Sequence, residues 1–266
     1  MNVFQAVILG LIQGITEFLP VSSSGHLVLF QKLFNINQPT ILFDVILHIG
    51  TLVPVVIIFW DKIFSLIKKP FEKYTWLIIL ATLPAVIIGL FFGDAIENLF
   101  NKADFLWLAF LITGVILLLS DKISSTASSN LKSDKKILFK DALIIGLMQA
   151  FAIIPGVSRS GSTIGAALIC GLEKNTAARF SFMMSIPVII GASVLELKHV
   201  FDGEINYALD FKIVFFGFIS AALSGYLAIK FMLNLIRQSK LKFFAYYVFI
   251  LAFFILLDKM FFGFYF

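Results

Sequence analysis

The feature that most constrains this chain is a series of long apolar runs that contain few charges. Two of them are LFDVILHIGTLVPVVIIFW at 42–60 and YTWLIILATLPAVIIGLFFG at 74–93. Runs of about 20 apolar residues, wound as a helix, match the hydrocarbon thickness of a bilayer. Charged residues make up only 14% of the chain, whereas a soluble domain carries about 25%. The sequence therefore predicts an integral membrane protein and argues against a soluble globular one.

Six runs of this kind predict full transmembrane helices in an all-α fold. The chain of 266 residues is short enough for one compact bundle, so we expect a single membrane domain over 1–266. The formal net charge of +5 does not indicate nucleic-acid binding, because in a membrane protein the placement of positive charges matters more than their sum. The predicted spans lie at about 42–60, 74–93, 105–120, 180–197, 211–235 and 243–258.

Two further apolar stretches do not have the pattern of a simple span. They cover about 3–30 and 139–170, and each is interrupted midway by proline, serine and glycine. Irregular backbone at membrane depth is tolerated only where protein or a wet cavity satisfies its polar groups. We therefore expect each stretch to be a re-entrant hairpin, made of a helix, a break and a second helix.

The two broken stretches resemble each other. A shift of 136 residues places GLIQGITEFLPVSSSG (10–25) on GLMQAFAIIPGVSRSG (146–161) without a gap. Each half then has one hairpin and three spans, and this odd number of crossings would turn the second half upside down. Inverted repeats with broken helices place their site near the membrane midplane. The predicted halves are about 1–125 and 137–266, and chance likeness between two helices rich in small residues is the alternative.

The basic residues predict the orientation of the chain. In the six-span arrangement, 14 Lys and Arg residues fall in connections on one side and four on the other. The positive-inside rule assigns the richer side to the cytoplasm. Both chain ends and the opening of the first hairpin then face outward, and the second hairpin opens to the cytoplasm. The richer connections are 61–73, 121–141, 172–179 and 236–242, and the poorer ones are 31–41, 94–104, 198–210 and 259–266.

Serine clusters follow both breaks. Ser22, Ser23 and Ser24 come after Pro20, and a second cluster follows Pro155. Serine is a preferred N-cap, and a helix N-terminus binds phosphate-like anions through its free N–H groups and its dipole. Two such helix starts from opposite sides would converge on one anion, while helix packing is the alternative for any single serine. The second cluster contains Ser158, Ser160 and Ser162.

Arg159 lies in the second break, where a charge is costly. At the bilayer centre an arginine costs about 2.5–3.5 kcal/mol on insertion scales. Only three of the 21 basic residues are arginines, so its use here indicates a need for a rigid, forked and permanently charged donor. That geometry suits bidentate phosphate binding, and a structural ion pair with Glu17 is the alternative.

Glu17 and His26 are the titratable candidates of the first hairpin. Gln13 and Glu17 are four residues apart, so one helix face presents both to the same cavity. His26 lies about one turn from Ser22 and Ser23, and a serine beside a base is typical of an activated nucleophile. Histidine exchanges protons near neutral pH, so we expect it to take part in acid/base chemistry. The remaining histidines, His48 and His199, are interpreted as satisfied core groups.

These residues leave two classes of function open. One is a hydrolase with Ser23 as nucleophile and with His26 and Glu17 in acid/base roles. In this hydrolase Arg159 and the helix N-termini would stabilise the phosphoryl oxygens. The other is an anion or lipid transporter, for which inverted repeats are typical. A transporter needs the anion site but no constellation of serine, histidine and glutamate, so that constellation favours the hydrolase.

Two motifs resemble those of a known family. QGITEFLPVSSSGH (13–26) and PGVSRSGST (155–163) are similar to the signature motifs of the undecaprenyl-diphosphatase family, the bacitracin-resistance phosphatases of bacteria. The resemblance covers essentially the whole chain, including FDVILHIGT (43–51). It implies hydrolysis of undecaprenyl diphosphate to undecaprenyl phosphate and inorganic phosphate, which recycles the lipid carrier for peptidoglycan. It also implies a multi-pass protein of the bacterial inner membrane whose active site faces the outer side.

The resemblance also implies roles for individual residues. The family's functional serine falls on Ser23, its glutamate on Glu17 and its histidine on His26. Its arginine falls on Arg159. Direct attack by water, activated by Glu17 or His26, stays open beside attack by Ser23. The phosphate-binding predictions are Arg159, Ser158, Ser160, Thr163, Ser22, Ser24 and Gln13.

A divalent cation, Mg²⁺ or Ca²⁺, enters only through the resemblance. The sequence contains no dedicated metal cage, so the metal would bridge the substrate phosphates and Glu17. Some family members have glutamate where this chain has Gln13. Because Gln13 cannot ionise, Glu17 is the only carboxylate that this motif contributes. The expected partners are undecaprenyl diphosphate and membrane lipids, and a homodimer is a further expectation.

Overall fold

The computed structural model describes residues 1–36, 40–101, 105–126, 131–201, 210–238 and 241–263. Within these ranges the chain is helical, and its only β-pairing is an isolated bridge between Lys132 and Leu172. The α-helices are α1 Val3–Phe18, α2 Ser23–Leu33, α3 Ile41–Ile58, α4 Trp60–Lys68, α5 Lys73–Asn101, α6 Leu106–Thr126, α7 Phe139–Phe151, α8 Arg159–Ile169, α9 Lys174–Phe201, α10 Phe211–Gln238 and α11 Lys242–Leu257.

Six helices in the described ranges are long and apolar enough to cross a bilayer, which confirms the number of spans predicted from the sequence. Their outward faces carry large apolar side chains; Phe91, for example, is 78% exposed. A water-facing surface would carry charges at such positions, so these faces are suited to lipid. The candidate spans are Ile41–Ile58, Lys73–Gly93, Leu106–Ser124, Lys174–Lys198, Phe211–Ile236 and Lys242–Phe261.

Both predicted helix breaks are present. α1 ends at Phe18 and α2 begins at Ser23, while α7 ends at Phe151 and α8 begins at Arg159. Proline alone does not explain the breaks, because Pro54, Pro84 and Pro187 lie inside continuous helices. At the two breaks the proline is followed by a serine, Ser22 or Ser158, that caps the next helix. That each pair of helices enters and leaves the membrane on the same side stays a prediction.

The connection expected at 61–73 contains a helix, α4, that the sequence analysis did not predict. Its inner face places Ile63 and Leu66 against the core, while Trp60 and Ile67 are exposed on the other face. α4 thus packs one apolar side on the bundle and presents other apolar side chains outward, with Lys68 at its end. A segment of only nine residues is too short to span a membrane, and its length and its lysines were therefore interpreted as those of a connection.

Each broken stretch packs against a long helix from the other half of the chain. α1 lies along α10, and α7 lies along α5. At Gly14 the helices approach so closely that an added Cβ would overlap the Ser224 hydroxyl and the Ala221 carbonyl. Small residues allow this approach, as is common between membrane helices. α1, which carries Gln13 and Glu17, is thereby held on a rigid support.

The end of α1 is anchored in the largest apolar cluster. Phe18 is fully buried there, and its ring meets the ring of Phe182 edge to face, with centroids 5.4 Å apart. Aromatic pairs in this geometry contribute about 0.5–1.5 kcal/mol beyond the area that they bury. Because Glu17 precedes Phe18 directly, this packing fixes the direction of the Glu17 side chain.

Candidate active site

The two breaks lie against each other in the structure. The Gly156 backbone N–H donates to Ser24 Oγ at 3.3 Å, and Ser160 Oγ donates to the Leu19 carbonyl at 2.9 Å. These bonds join residues more than 130 positions apart in the chain. The convergence of the two serine clusters that the sequence predicted is therefore present, and it brings two helix starts together.

Serine caps organise both helix starts. Ser22 Oγ accepts the Gly25 N–H at 3.2 Å at the start of α2, and Ser158 Oγ accepts the Gly161 N–H at 3.0 Å at the start of α8. The other N–H groups of each first turn have no partner within the helix and are suited to an anion. Ser22 has φ of 73°, a conformation that is costly for a residue with a side chain and that is enriched at active sites.

Glu17 is the centre of the site. Its side chain is 5% exposed and accepts hydrogen bonds from three different residues. Ser23 Oγ donates to Oε2 at 2.6 Å, Gln13 Nε2 donates to Oε2 at 2.9 Å, and Arg159 Nη2 pairs with Oε1. A buried carboxylate needs such partners to remain charged. The contact with Ser23 places a proton acceptor directly on a candidate nucleophile.

Arg159 reaches across the two breaks with only one arm of its guanidinium engaged. Nη2 is paired with Glu17, whereas Nη1 is buried and has no partner among the described residues. A buried guanidinium N–H without a partner is unfavourable, so this arm is suited to an incoming acceptor such as a phosphate oxygen. The ion pair with Glu17, which the sequence analysis gave as an alternative role, thus coexists with a free donor.

His26 does not point at Ser23. Its Nδ1 is 2.7 Å from the Ser22 carbonyl oxygen, and its Nε2 is 2.8 Å from the hydroxyl of Tyr247 on α11. The ring is 3% exposed and packs edge to face against Phe110. The neighbourhood predicted for His26 is present, but both ring nitrogens are occupied, and Tyr247 is a residue that the sequence analysis did not identify.

His48 lies beside the site and not in the core, contrary to its interpretation from the sequence. Its Nε2 is 3.8 Å from Glu17 Oε2, and its Nδ1 is 2.7 Å from the Asp44 carbonyl oxygen. The side chain is 30% exposed. The motif FDVILHIGT contained the signal, because His48 is the one imidazole of α3. The side chain of His199 lies outside the described residues.

The other predicted phosphate-binding residues lie around the two breaks, where Ser158, Ser160 and Thr163 are buried and Ser24 is partly buried. Ser160 is committed to the Leu19 carbonyl and Ser24 to the Gly156 N–H. Thr163 Oγ1 lies 2.6 Å from Ser181 Oγ, which directs it towards α9. Direct contact between these hydroxyl groups and phosphate stays a prediction, and their observed bonds brace the breaks.

Gln13 and Glu17 together fit a divalent cation in part. Gln13 is fully buried, and its Oε1 has no partner among the described residues. Its amide is oriented by the bond from Nε2 to Glu17, so Oε1 is a free hard oxygen donor beside a carboxylate. The described residues contain no group of three or more His, Cys, Asp or Glu side chains that could hold a metal. These two oxygens therefore suit a cation whose other ligands come from a substrate.

The fold and this site define a class: a multi-pass membrane protein in which a serine, a carboxylate and an arginine meet between two broken helices. The family model described as "Bacitracin resistance protein BacA" matches residues 6–254. The chain belongs to this family.

Similar proteins cover nearly the same length. A protein named undecaprenyl-diphosphatase from Carboxydothermus hydrogenoformans is 50% identical over 253 residues, which are 95% of each chain. One of the same name from Halothermothrix orenii is 46% identical over 97% of this chain and 98% of its own. Undecaprenyl-diphosphatase 4 of Bacillus thuringiensis is 44% identical over 93% of this chain and 94% of its own.

Proposed function

We propose that this protein is a membrane-bound phosphatase that hydrolyses undecaprenyl diphosphate to undecaprenyl phosphate and inorganic phosphate. The observation that carries this proposal is the contact of Ser23 Oγ with Glu17 Oε2, which Arg159 also binds. The names of the full-length relatives support the same substrate. The transporter alternative is not favoured, because an anion carrier has no need for a serine hydroxyl on a carboxylate.

In the proposed reaction Ser23 Oγ attacks the terminal phosphorus. Glu17 takes the hydroxyl proton while the new O–P bond forms. The anhydride bond breaks, and undecaprenyl phosphate leaves with its bridging oxygen. Water then hydrolyses the phosphoserine to release inorganic phosphate and restore Ser23. Direct attack by water held at Glu17 is the competing route, and it has no phosphoserine.

The phosphoryl oxygens would be held by Arg159 and by the helix starts. The free Nη1 of Arg159 and the N–H groups at the starts of α2 and α8 are fixed before the substrate arrives. Charge that develops on the phosphoryl group is then stabilised by donors that need no reorganisation. We expect the serines and Thr163 to contribute mainly by holding these breaks in shape.

We further propose that a divalent cation, Mg²⁺ or Ca²⁺, binds at Glu17 and the free Gln13 Oε1. Carboxylate and amide oxygens are ligands that both ions accept. When bound, such an ion would neutralise charge on the diphosphate. With Gln13 in place of a second carboxylate, the protein side of the site contributes one negative charge.

The proposed location is a bacterial inner membrane, with the active site open to the outer side and the lipid carrier recycled there. The excess of basic residues in the connections 61–73 and 121–141 supports a cytoplasmic position for those segments. The mutual packing of α1 with α10 and of α7 with α5 supports two inverted halves at about 1–125 and 137–266. In this arrangement each hairpin enters and leaves the membrane on the same side.

Thiol labelling tests this orientation. Cys170 is the one cysteine of the sequence, and it would first be changed to alanine. In that background the exposed positions Asp210 and Lys69 would each be changed to cysteine. We expect a membrane-impermeant reagent to label Asp210→Cys in intact spheroplasts and to label Lys69→Cys only after lysis. Labelling of Lys69→Cys in intact spheroplasts would contradict the proposed sidedness without affecting the assignment of activity.

The proposed activity is tested by phosphate release from undecaprenyl diphosphate by the detergent-purified protein with Mg²⁺ or Ca²⁺. We expect turnover by the wild type and a loss of about 10²–10⁴-fold in Ser23→Ala, because the nucleophile is removed. Ser65→Ala, on the short helix α4, is the matched control and should keep full activity. A folded wild type that releases no phosphate would leave the family membership but remove the proposed activity.

The same preparations separate the two routes. A phosphoserine at Ser23, trapped by acid quench and found by mass spectrometry, is the expected result. Full activity of Ser23→Ala in H₂¹⁸O, with label in the released phosphate, would instead establish direct attack by water. Glu17 would then be the base that takes a proton from this water.

A further inference from the structure

The contact between α2 and α11 centres on two rings. The Tyr247 hydroxyl is 2.8 Å from His26 Nε2, and the rings stack with an interplanar angle of 12° and centroids 5.7 Å apart. The partners lie 221 positions apart in the chain. Tyr247 is 44% exposed, while His26 is 3% exposed, so Tyr247 covers the imidazole on the outer surface of the bundle.

The hydrogen bonds of His26 determine its tautomer. The Ser22 carbonyl, 2.7 Å from Nδ1, can only accept, so Nδ1 carries the proton. In the neutral ring Nε2 is then an acceptor, and the Tyr247 hydroxyl is the donor that satisfies it. A neutral ring is the favourable form for a side chain buried to this extent.

His26 in this state acts on the backbone of Ser22. The Ser22 carbonyl accepts both the His26 side chain, at 2.7 Å, and the His26 backbone N–H, at 3.2 Å. Ser22 is the residue with φ of 73°, and it directly precedes Ser23. The two bonds to its carbonyl therefore hold the strained turn from which Ser23 Oγ reaches Glu17.

We propose that Tyr247 is a positioning residue for the reaction: by donating to Nε2 it holds His26 in the orientation that fixes the turn at Ser22, and thereby the direction of the Ser23 hydroxyl. This inference rests on the proposed function, since it concerns how the nucleophile of that reaction is held. It assigns His26 a role through the backbone in addition to any contact with substrate.

The test compares Tyr247→Phe with Tyr246→Phe. The first change removes one hydroxyl but keeps the ring that stacks on His26, and the second removes the hydroxyl of the exposed tyrosine next to it on the same helix. We expect Tyr247→Phe to lower kcat about fivefold to tenfold, the effect of losing one hydrogen bond, with KM within about twofold. Tyr246→Phe should match the wild type.

A readout independent of activity keeps the inference distinct from the proposed function. The chain has three histidines. The His26 signals in the ¹⁵N-histidine spectrum of the wild type are therefore those that are missing from the spectrum of His26→Gln. We expect a protonated Nδ1 and a hydrogen-bonded, unprotonated Nε2 in the wild type, and a shift of the Nε2 signal towards the unbonded position in Tyr247→Phe.

Three results would overturn the inference. One is equal kcat in the two tyrosine variants. Another is a loss confined to KM with an unchanged His26 signal, which would make Tyr247 a lipid contact. The third is an Nε2–H tautomer in the wild type. Absence of turnover in every protein, with the expected ¹⁵N signals, would instead contradict the proposed function and leave the Tyr247–His26 contact established.

Discussion

Replacement of Arg159 by alanine is expected to lower kcat/KM for undecaprenyl diphosphate by about 10³-fold, the range found when a fixed positive donor is removed from a phosphoryl-transfer site. The free Nη1 group is the reason. It is a charged donor that is already desolvated and already placed between the two helix starts. Its interaction with a developing negative charge is therefore not weakened by water.

Alanine at this position also leaves the Glu17 carboxylate buried without its cation. Loss of one partner of a buried ion pair destabilises a fold by about 3–5 kcal/mol, so low activity of Arg159→Ala could reflect unfolding. Arg159→Lys removes this ambiguity, because the ammonium keeps the charge beside Glu17. Lysine lacks the fork that binds Glu17 and a phosphate at the same time. We expect Arg159→Lys to melt close to the wild type but to lose about 10²-fold in kcat/KM.

Arg179→Ala is the matched control for both variants. Arg179 is exposed, and its guanidinium lies 6.0 Å from the centre of the Phe59 ring. We expect its removal to leave phosphate release unchanged, because a cation–π contact at an exposed site contributes only about 0.5–1 kcal/mol. The measurements are phosphate release and the melting midpoint of each variant. A wild-type kcat/KM in Arg159→Lys would show that the Nη1 group of Arg159 has no role in the reaction.

The fold was largely predictable because the membrane restricts the choices. A run of about 20 apolar residues has few alternatives to a spanning helix, and the six spans were located to within a few residues, except that α9 begins at Lys174, α5 continues to Asn101 and α6 continues to Thr126. The breaks were predictable because proline is combined there with serine and glycine, whereas a lone proline, as at Pro54, Pro84 and Pro187, leaves the helix continuous.

The side-chain directions in the site were not predictable. Sequence spacing places His26 near Ser22 and Ser23, but the ring direction depends on a partner 221 positions away. Tyr247 is one of two adjacent tyrosines near the start of α11, where an aromatic residue looks like an ordinary membrane-interface anchor. The position of His48 was not predictable for the same reason. Its approach to Glu17 depends on how α3 packs beside α1, and no local sequence pattern specifies that packing.

Conversion of Glu17 to glutamine is expected to lower kcat by about 10²–10⁴-fold, the usual contribution of a general base. The amide is close in shape to the carboxylate, so the change tests charge and basicity more than packing. It replaces one acceptor oxygen by an N–H₂ group, which cannot accept from Ser23 or pair with Arg159. The serine then has no group to take its proton as the O–P bond forms.

Glu72→Gln is the control for this variant. The Glu72 side chain is 42% exposed and forms a loose pair with Lys69 at 3.7 Å, and such surface pairs contribute about 0–1 kcal/mol to stability. We expect it to release phosphate at the wild-type rate. Near-normal turnover of Glu17→Gln would remove Glu17 from the mechanism.

The cation and the base role of Glu17 are separable in the same assay. If Glu17 and Gln13 hold a divalent ion, chelation with EDTA should abolish phosphate release by the wild type, and Mg²⁺ or Ca²⁺ should restore it. Glu17→Gln should stay inactive at any cation concentration, because added metal cannot replace the proton acceptor. A wild type that keeps its full rate in EDTA would contradict the cation proposal alone. Recovery of Glu17→Gln by excess cation would show instead that Glu17 acts mainly by holding the metal, with the proton leaving Ser23 by another route.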